Sequence, residues 1–289
     1  MPELPEVETT VRALREPLVG RVITGVRNDW PRHIATPTLE ELQARIGGRR
    51  IEAIDRRGKY LVFRLDADET LLIHLKMTGH LSVVPSGTPP DKHTHTIFEL
   101  AGGKWQVAGG EIQNPKSKIQ NGELHFNDPR KFGRVYLVRD PAEVVGDLGP
   151  EPLEPEFTPA VLAERLRGHK KALKTLLLDQ TFLAGVGNIY ADEALFEARL
   201  HPLRPANSLS AAEIEALHAA IQYVLELGIT REGASIDRYR KPDGEKGDMQ
   251  NAVSVFRRTG YPCFRCGTPI LRMVVGGRST HFCPECQTR

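Results

Sequence analysis

Cysteine is scarce in this chain and confined to one end: there are four, all beyond position 262. That count excludes a disulfide framework spread through the molecule. No apolar run reaches the roughly 18 residues that would cross a bilayer, so neither a spanning helix nor a membrane partner is expected. The start, Met1-Pro2-Glu3-Leu4-Pro5-Glu6, lacks the basic and apolar regions of a secretory signal. An excess of one charge is missing too: 39 Lys+Arg face 37 Asp+Glu, a formal net charge of +2. This excludes a histone-like protein held to nucleic acid by bulk charge, but leaves room for a basic face on a balanced molecule. With 40% hydrophobic and 26% charged residues, the composition is that of folded domains. The length of 289 residues gives a prior of about two domains. A cytoplasmic protein in reducing surroundings is expected.

Up to residue 140 the pattern is mostly that of strands. A helix is expected from Pro5 to about Arg15. Short β-rich runs follow at 21–26, 50–54, 60–65, 71–75, 81–84, 96–100, 124–127 and 134–138, separated by Gly, Pro and Asp clusters. Such a series suggests an antiparallel sandwich or barrel. Residues 113–118 read as a loop. The acidic, Pro-rich DLGPEPLEPEF (147–157) marks an interdomain linker, taken as 141–157. Beyond it the period is helical. Thr158 is an N-cap followed by Pro159 at the first helical position. Ser210 and Glu213 form a capping box ahead of an apolar stripe, Ile214, Leu217, Ile221, Val224 and Leu225, with Gly228 as a stop signal. Two more helices flank 181–187. The polar stretch 237–251, holding Gly244 and Gly247, reads as a mobile loop. The division expected is an N-terminal domain at 1–140, the linker, a helical domain at 158–253 and a terminal module at 254–289.

Cys263-x2-Cys266 and Cys283-x2-Cys286 have the spacing of a four-cysteine zinc site, the intervening residues folding as a hairpin. All four ligand positions are taken by protein, so the one zinc is structural. From Ser254 onward there are six arginines and a single acid, Glu285. A hairpin carrying Arg265, Arg272 and Arg278 suits phosphate contact; the plainer reading is a solvated basic face. Leu183-Ala184-Gly185-Val186-Gly187-Asn188 is neither a P-loop nor a Rossmann fingerprint. Its glycines suit two purposes equally: backbone N–H approach to a phosphate at a helix start, or a tight helix–helix turn. At the N-terminus, removal of Met1 frees Pro2 as a secondary amine, with Glu3 and Glu6 as nearby proton carriers. Proline and acids simply opening a helix is the ordinary alternative.

The motifs, taken in order, decide between these. PELPEVET (2–9), RRGKYL (56–61), HLKMTG (74–79), DKHTH (91–95), NDPRKFGR (127–134), LGPEPL (148–153), LLLDQ (176–180), GVGNIYADEALF (185–196) and the four-cysteine terminus together resemble a bacterial formamidopyrimidine-DNA glycosylase over the whole chain. The resemblance implies an α+β multidomain fold: an N-terminal antiparallel β-sandwich, then a helical domain with a helix–two-turn–helix motif and a four-cysteine zinc-finger β-hairpin. It implies excision of oxidised purines from double-stranded DNA, followed by strand nicking, by a monomer working in the cytoplasm on the nucleoid.

Residue by residue, Pro2 matches the family's nucleophile and Glu3 its proton donor to the sugar. Glu6 matches a second acid, and Lys59 and Arg278 match cations at the phosphates that the eliminations expel. Met77, Arg130 and Phe132 match side chains that fill the space left by an extruded base. His93, Lys174 and Asn188 match phosphate-contacting positions, and 237–251 matches the loop over the extruded base. Departures exist. Lys76 stands where the family often has Gly, Thr94 where it often has Asp, and Phe256-Arg257-Arg258 replaces Tyr-Gly-Arg. The stretch from about 104 to 120 is longer than usual. The rival readings are the related endonuclease-VIII type, which prefers oxidised pyrimidines, and a zinc protein that binds lesions without cutting.

Overall fold

A computed structural model describes residues 1–102, 121–236 and 238–288. The long stretch 104–120, with its expected loop at 113–118, lies outside the described residues, as does Asp237. The chain forms two compact units. One comprises Met1–Pro2, Glu6–Gly146 and Glu232–Gly247; the other Glu3–Pro5, Asp147–Arg231 and Asp248–Arg289.

In the first unit, helix α1 (Leu4–Leu18) turns Val7, Val11, Leu14 and Leu18 into the core, one face of a 3.6-residue period. Leu18 continues the stripe, which is why the helix outruns its expected end at Arg15. Nine strands follow: β1 (Val22–Asn28), β2 (Ile34–Thr36), β3 (Arg49–Arg57), β4 (Tyr60–Leu65), β5 (Thr70–His74), β6 (His80–Pro85), β7 (Thr94–Ala101), β8 (Gly122–Asn127) and β9 (Arg134–Val138). Their order is β2-β9-β5-β4-β3-β1-β7-β8-β6. Strand β1 pairs with β7 along its length but with β3 only at Val22 and Ile23. The sheet divides there into two halves whose side chains share one core, Leu61, Phe63 and Ile73 from one half, Phe98, Leu124 and Phe126 from the other. The end strands β2 and β6 do not pair, so this is a sandwich and not a closed barrel.

One strand and one helix before residue 140 were not expected. Strand β2 has three residues, too few to show alternation, and pairs parallel with the distant β9. Helix α2 (Leu39–Ile46) is opened by a capping box in which the Glu41 N–H donates to Thr38 Oγ1 at 3.3 Å and the Thr38 N–H to Glu41 Oε2 at 3.4 Å. It buries Leu42 and Ile46. A single turn, α3 (Ala142–Val145), falls inside 141–157.

The second unit is helical. Helix α4 (Pro159–Leu166) starts on Thr158 and Pro159 as expected. Helices α5 (Leu173–Leu177) and α6 (Asn188–Glu197) are joined by successive turns, in which the Asp179 N–H bonds Leu176 O and the Phe182 N–H bonds Asp179 O. Gln180 locks the second turn, donating to Val186 O at 2.9 Å and accepting from the Gly185 N–H at 3.0 Å. Helix α7 (Ala211–Thr230) is opened by the Ser210–Glu213 box. Gly228 does not stop it. The helix runs through to Thr230, and Gly228 is buried against Tyr190, whose ring atoms would lie 2.5–2.8 Å from a Cβ there. Glycine at this point lets α6 and α7 cross closely. The chain ends in a hairpin, β10 (Leu271–Val275) and β11 (Arg278–Phe282), turned by Gly276 (φ +57°) and Gly277 (φ +75°). Positive φ at both central residues is what a two-residue hairpin loop demands. No described helix is long and apolar enough to cross a membrane.

Candidate active site and nucleic-acid interface

Within the second unit, the glycine-rich turn seats Glu3 and Leu4. The Leu4 N–H donates to Gly185 O at 3.0 Å. Gly185 (φ +85°) has Leu4 side-chain atoms 2.6–3.1 Å from where a Cβ would stand, and Gly187 has Glu3 in the same relation. The buried Glu3 carboxylate accepts the N–H groups of Ile189 (3.0 Å) and Tyr190 (3.4 Å). It thereby caps α6, whose own N-cap, Gly187, has no side chain to do so. The tight-turn reading of these glycines is the one this geometry fits: the anion at the helix start is Glu3.

In the first unit Pro2, Glu6 and Lys59 are buried. The Glu6 carboxylate accepts the Ala234 N–H at 2.8 Å, and its carbonyl accepts the Thr10 hydroxyl at 2.8 Å and the Tyr239 hydroxyl at 3.3 Å. Gly233 (φ +84°) passes so close that a Cβ would meet Glu6 Cγ at 2.9 Å. Lys241 is tied by His80, whose ring Nε2 bonds Lys241 O at 3.0 Å. The Lys241 ammonium is ringed by Glu232, Asp243 and Glu245 at 3.1–3.5 Å.

Two loops of the first unit hold the three wedge candidates. Met77, on the loop between β5 and β6, is half-buried; Arg130 and Phe132, between β8 and β9, are exposed, with the guanidinium 4.8 Å from the ring centroid. His93 is half-buried. Its N–H donates to Asp91 Oδ1 at 2.6 Å, and its carbonyl takes the Asp128 N–H at 2.8 Å.

Lys174 is fully buried in the second unit, its ammonium bonded to Asp192 Oδ1 (2.7 Å) and Asn188 O (2.8 Å). Burial pulls its pKa below the lysine range against the pull of Asp192. The other Asp192 oxygen accepts the His281 N–H at 3.0 Å, and Asn188 Nδ2 donates to Ser279 O at 2.9 Å. Lys174 is thus an interior strut between α5, α6 and β11. Asn188 is half-buried at the first position of α6. The neighbouring Glu193, pushed up by burial, accepts three consecutive N–H groups, from Ser254, Val255 and Phe256, at 2.6–3.0 Å. Sequence reasoning missed Asp192 and Glu193, which carried no signal apart from their place in the GVGNIYADEALF motif.

Of the hairpin arginines, Arg278 follows the turn directly and is exposed, with no described residue pairing its guanidinium. Arg272 bonds Ser279, and the exposed Arg265 folds back onto Phe196 O (2.6 Å) and Glu197 at the α6 C-terminus. Phosphate contact by Arg265 is therefore disfavoured.

The Sγ atoms of Cys263, Cys266, Cys283 and Cys286 lie within 4.8 Å of one another. A tetrahedral zinc with 2.3 Å Zn–S bonds requires sulfurs about 3.8 Å apart; Cys263–Cys286 is 3.9 Å and Cys266–Cys283 is 3.4 Å. Burial and the neighbouring sulfurs push the Cys286 thiol up to about 12, so that sulfur is held as a thiolate only with a cation beside it. The residues fit one structural zinc with no open position.

Fold and site define a zinc-finger protein with a β-sandwich and a helix–two-turn–helix unit. Family models match in order: the formamidopyrimidine-DNA glycosylase N-terminal domain at residues 1–135, the H2TH domain at 148–240 and the zinc finger found in FPG and IleRS at 260–289. Relatives named formamidopyrimidine-DNA glycosylase include one from Chloroflexus aurantiacus, 47% identical over 290 residues (99% of this chain, 98% of its own), and one from Protochlamydia amoebophila, 42% identical over 294 residues (100% of both). A Lactococcus lactis FPG mutant in complex with Fapy-dG containing DNA matches with a TM-score of 0.87 at 37% identity over 100% of both chains. Lactococcus lactis Fpg with abasic site containing DNA matches at 0.86 and 37%, over 99% of this chain and 100% of that one. The chain belongs to the formamidopyrimidine-DNA glycosylase family.

Proposed function

We propose that this protein excises oxidised purines, 8-oxoguanine and formamidopyrimidines, from duplex DNA and then nicks the strand, as a monomeric glycosylase and abasic-site lyase of base excision repair acting on the nucleoid. The observation that carries the reading is the seating of Glu3, the residue after the proposed nucleophile, on the N–H groups of Ile189 and Tyr190. That hold supports a carboxyl fixed in place for proton transfer. Family membership and the lesion-containing DNA in the related Lactococcus structures support the substrate class.

With Met1 removed, Pro2 carries a secondary α-amine, a group largely unprotonated near its pKa of about 8. Its lone pair attacks sugar C1′; the glycosidic bond breaks, and the base leaves with the bonding pair and takes up a proton. Glu3 donates a proton to the sugar ring oxygen, opening it to a Schiff base on Pro2, with Glu6 in support. The iminium is an electron sink, so two successive eliminations expel the flanking phosphates. Lys59 and Arg278 are the cations for those leaving oxygens. His93 and Asn188 contact other phosphates, and Lys174 works from beneath by holding the α6 N-terminus under Asn188. Met77, Arg130 and Phe132 fill the gap left by the extruded base, and 237–251 covers that base. Zinc supplies structure to the hairpin that carries Arg278.

Borohydride treatment during reaction with 8-oxoguanine opposite cytosine should yield a covalent protein–DNA adduct. A form retaining Met1, which ties the nitrogen of residue 2 into a peptide bond, should lose the adduct and keep duplex binding. Full cleavage by the Met1-retaining form overturns the nucleophile assignment. Cleavage of oxidised pyrimidines in preference to 8-oxoguanine overturns the substrate class.

A further inference from the structure

Thr78 and Asp128 belong to the same two loops as the wedge candidates. Asp128 is fully buried. Its Oδ1 accepts the Thr78 hydroxyl and the Arg130 N–H (3.3 Å), and its Oδ2 accepts the Gly133 N–H (2.7 Å). The Thr78 hydroxyl, its proton given to Asp128, also accepts from the Arg130 N–H at 3.3 Å. One carboxylate and one hydroxyl thus tie the Met77 loop to the Arg130–Phe132 loop.

The floor beneath both loops is Phe126. A Cβ at Gly79 or at Gly133 would come within 2.9 Å of its ring, and His33 stacks on it with centroids 4.9 Å apart. His33 Nε2 lies 3.7 Å from Asp128 Oδ2. The loop backbones are strained: Lys76 (φ +53°) and Lys131 (φ +60°) hold a left-handed conformation that residues with side chains keep only when their surroundings force it. Burial alone would raise the Asp128 carboxyl. His33, Thr78 and the N–H groups of Gly133 and Arg130 instead hold it down at about 2, so it is ionised at neutral pH and binds its donors at full charge.

We propose that Thr78 and Asp128 are positioning residues: a brace that fixes Met77, Arg130 and Phe132 as one rigid unit, so that all three enter the duplex together as a base is extruded. The inference rests on the wedge reading. A wedge offsets the cost of unstacking only when its parts are ordered beforehand, because loops ordered on binding lose entropy at that moment.

Thr78→Val removes the hydroxyl and keeps the shape. Losing a hydrogen bond to a buried charge should lower single-turnover excision of paired 8-oxoguanine about tenfold or more, and nicking at a preformed abasic site only about twofold. Thr78→Ser should restore most of the difference. In the free protein, amide exchange at Arg130 and Gly133 should quicken in Thr78→Val. Met77→Ala is run alongside. Lesion-selective loss in Met77→Ala but not in Thr78→Val overturns the brace and leaves the wedge standing. No lesion-selective loss in either removes the wedge reading, and the positioning role with it. An equal loss on both substrates, or unchanged amide exchange, means that the hydroxyl serves folding alone and overturns the proposal.

Discussion

Gly187→Ala should damage the protein through Glu3, at the other end of the sequence. The backbone at Gly187 is extended (φ −128°), so alanine meets no strain of its own there. The new Cβ, however, would stand 2.6 Å from Glu3 Cγ and Oε1. The buried carboxylate must then leave its two N–H donors, Ile189 at 3.0 Å and Tyr190 at 3.4 Å. A hydrogen bond to a charged group contributes about 1.5–3 kcal/mol, and a carboxylate at a helix N-terminus up to about 2 more. With the longer bond counted at the weak end, the expected destabilisation is about 3–6.5 kcal/mol. Urea unfolding of the wild type, Gly187→Ala, Glu3→Ala and the double variant measures it. Glu3→Ala removes the clash and the same two bonds, so the double variant should cost no more than Glu3→Ala alone, with a coupling close to the full cost of Gly187→Ala. Gly187→Ala should also lose the borohydride-trapped adduct although Pro2 and Glu3 are both present. Strict additivity of the two substitutions would refute the argument.

Burial, with the charges of Lys76 and Lys59, pushes the His74 imidazole down to about 3, from a usual 6.5. The unfolded chain then binds a proton that the folded one does not, so this contribution is whole above pH 6.5 and lost as pH falls toward 3. At pH 5 the loss is about 2 kcal/mol, and His74→Gln should flatten the pH 7-to-5 change in urea stability; an unchanged slope counts against it. Lys76→Gly and Arg257→Gly replace residues at φ +53° and +59°. Each should raise stability by about 0.5–1 kcal/mol, the left-handed penalty less the extra entropy of glycine, and a fall in thermal midpoint contradicts the strain. Stripping zinc should weaken DNA binding before the first unit unfolds, because Cys263 and Cys283 are core to the small cluster of Phe196, Val255 and Ile270. Unchanged affinity of the stripped protein would show the hairpin to be dispensable.

Much of the fold was legible in local pattern. The caps at Thr158 and Ser210 and eight of the strands appear where period and turn residues put them. Helix α2 is as legible, its Thr38-x-x-Glu41 box and Leu42–Ile46 face being ordinary signals, though only two turns long among strands. Strand β2 was not legible, since three residues carry no period and its partner, β9, is far along the chain. The departures at Lys76 and Arg257 take on physical meaning only with the dihedrals: both stand at left-handed positions, where glycine costs nothing.

What the sequence by itself determined is whatever a short window encodes: the helical and strand periods, the caps, the four-cysteine spacing, and motifs dense enough to declare a family. Tertiary structure decided the rest. Gly228 reads as a stop, and became a crossing point because Tyr190 packs on it. The glycines of 185–187 read as a phosphate cradle or a turn, and Glu3 with Leu4 occupies the space they leave. Lys174 and Arg265 read as basic side chains free for phosphate; Lys174 is buried, and Arg265 is engaged by the end of α6. Lys174 is buried because Asp192 meets its charge, and Arg265, still exposed, is held by the end of α6; both partners lie beyond any window from which the charge itself is read.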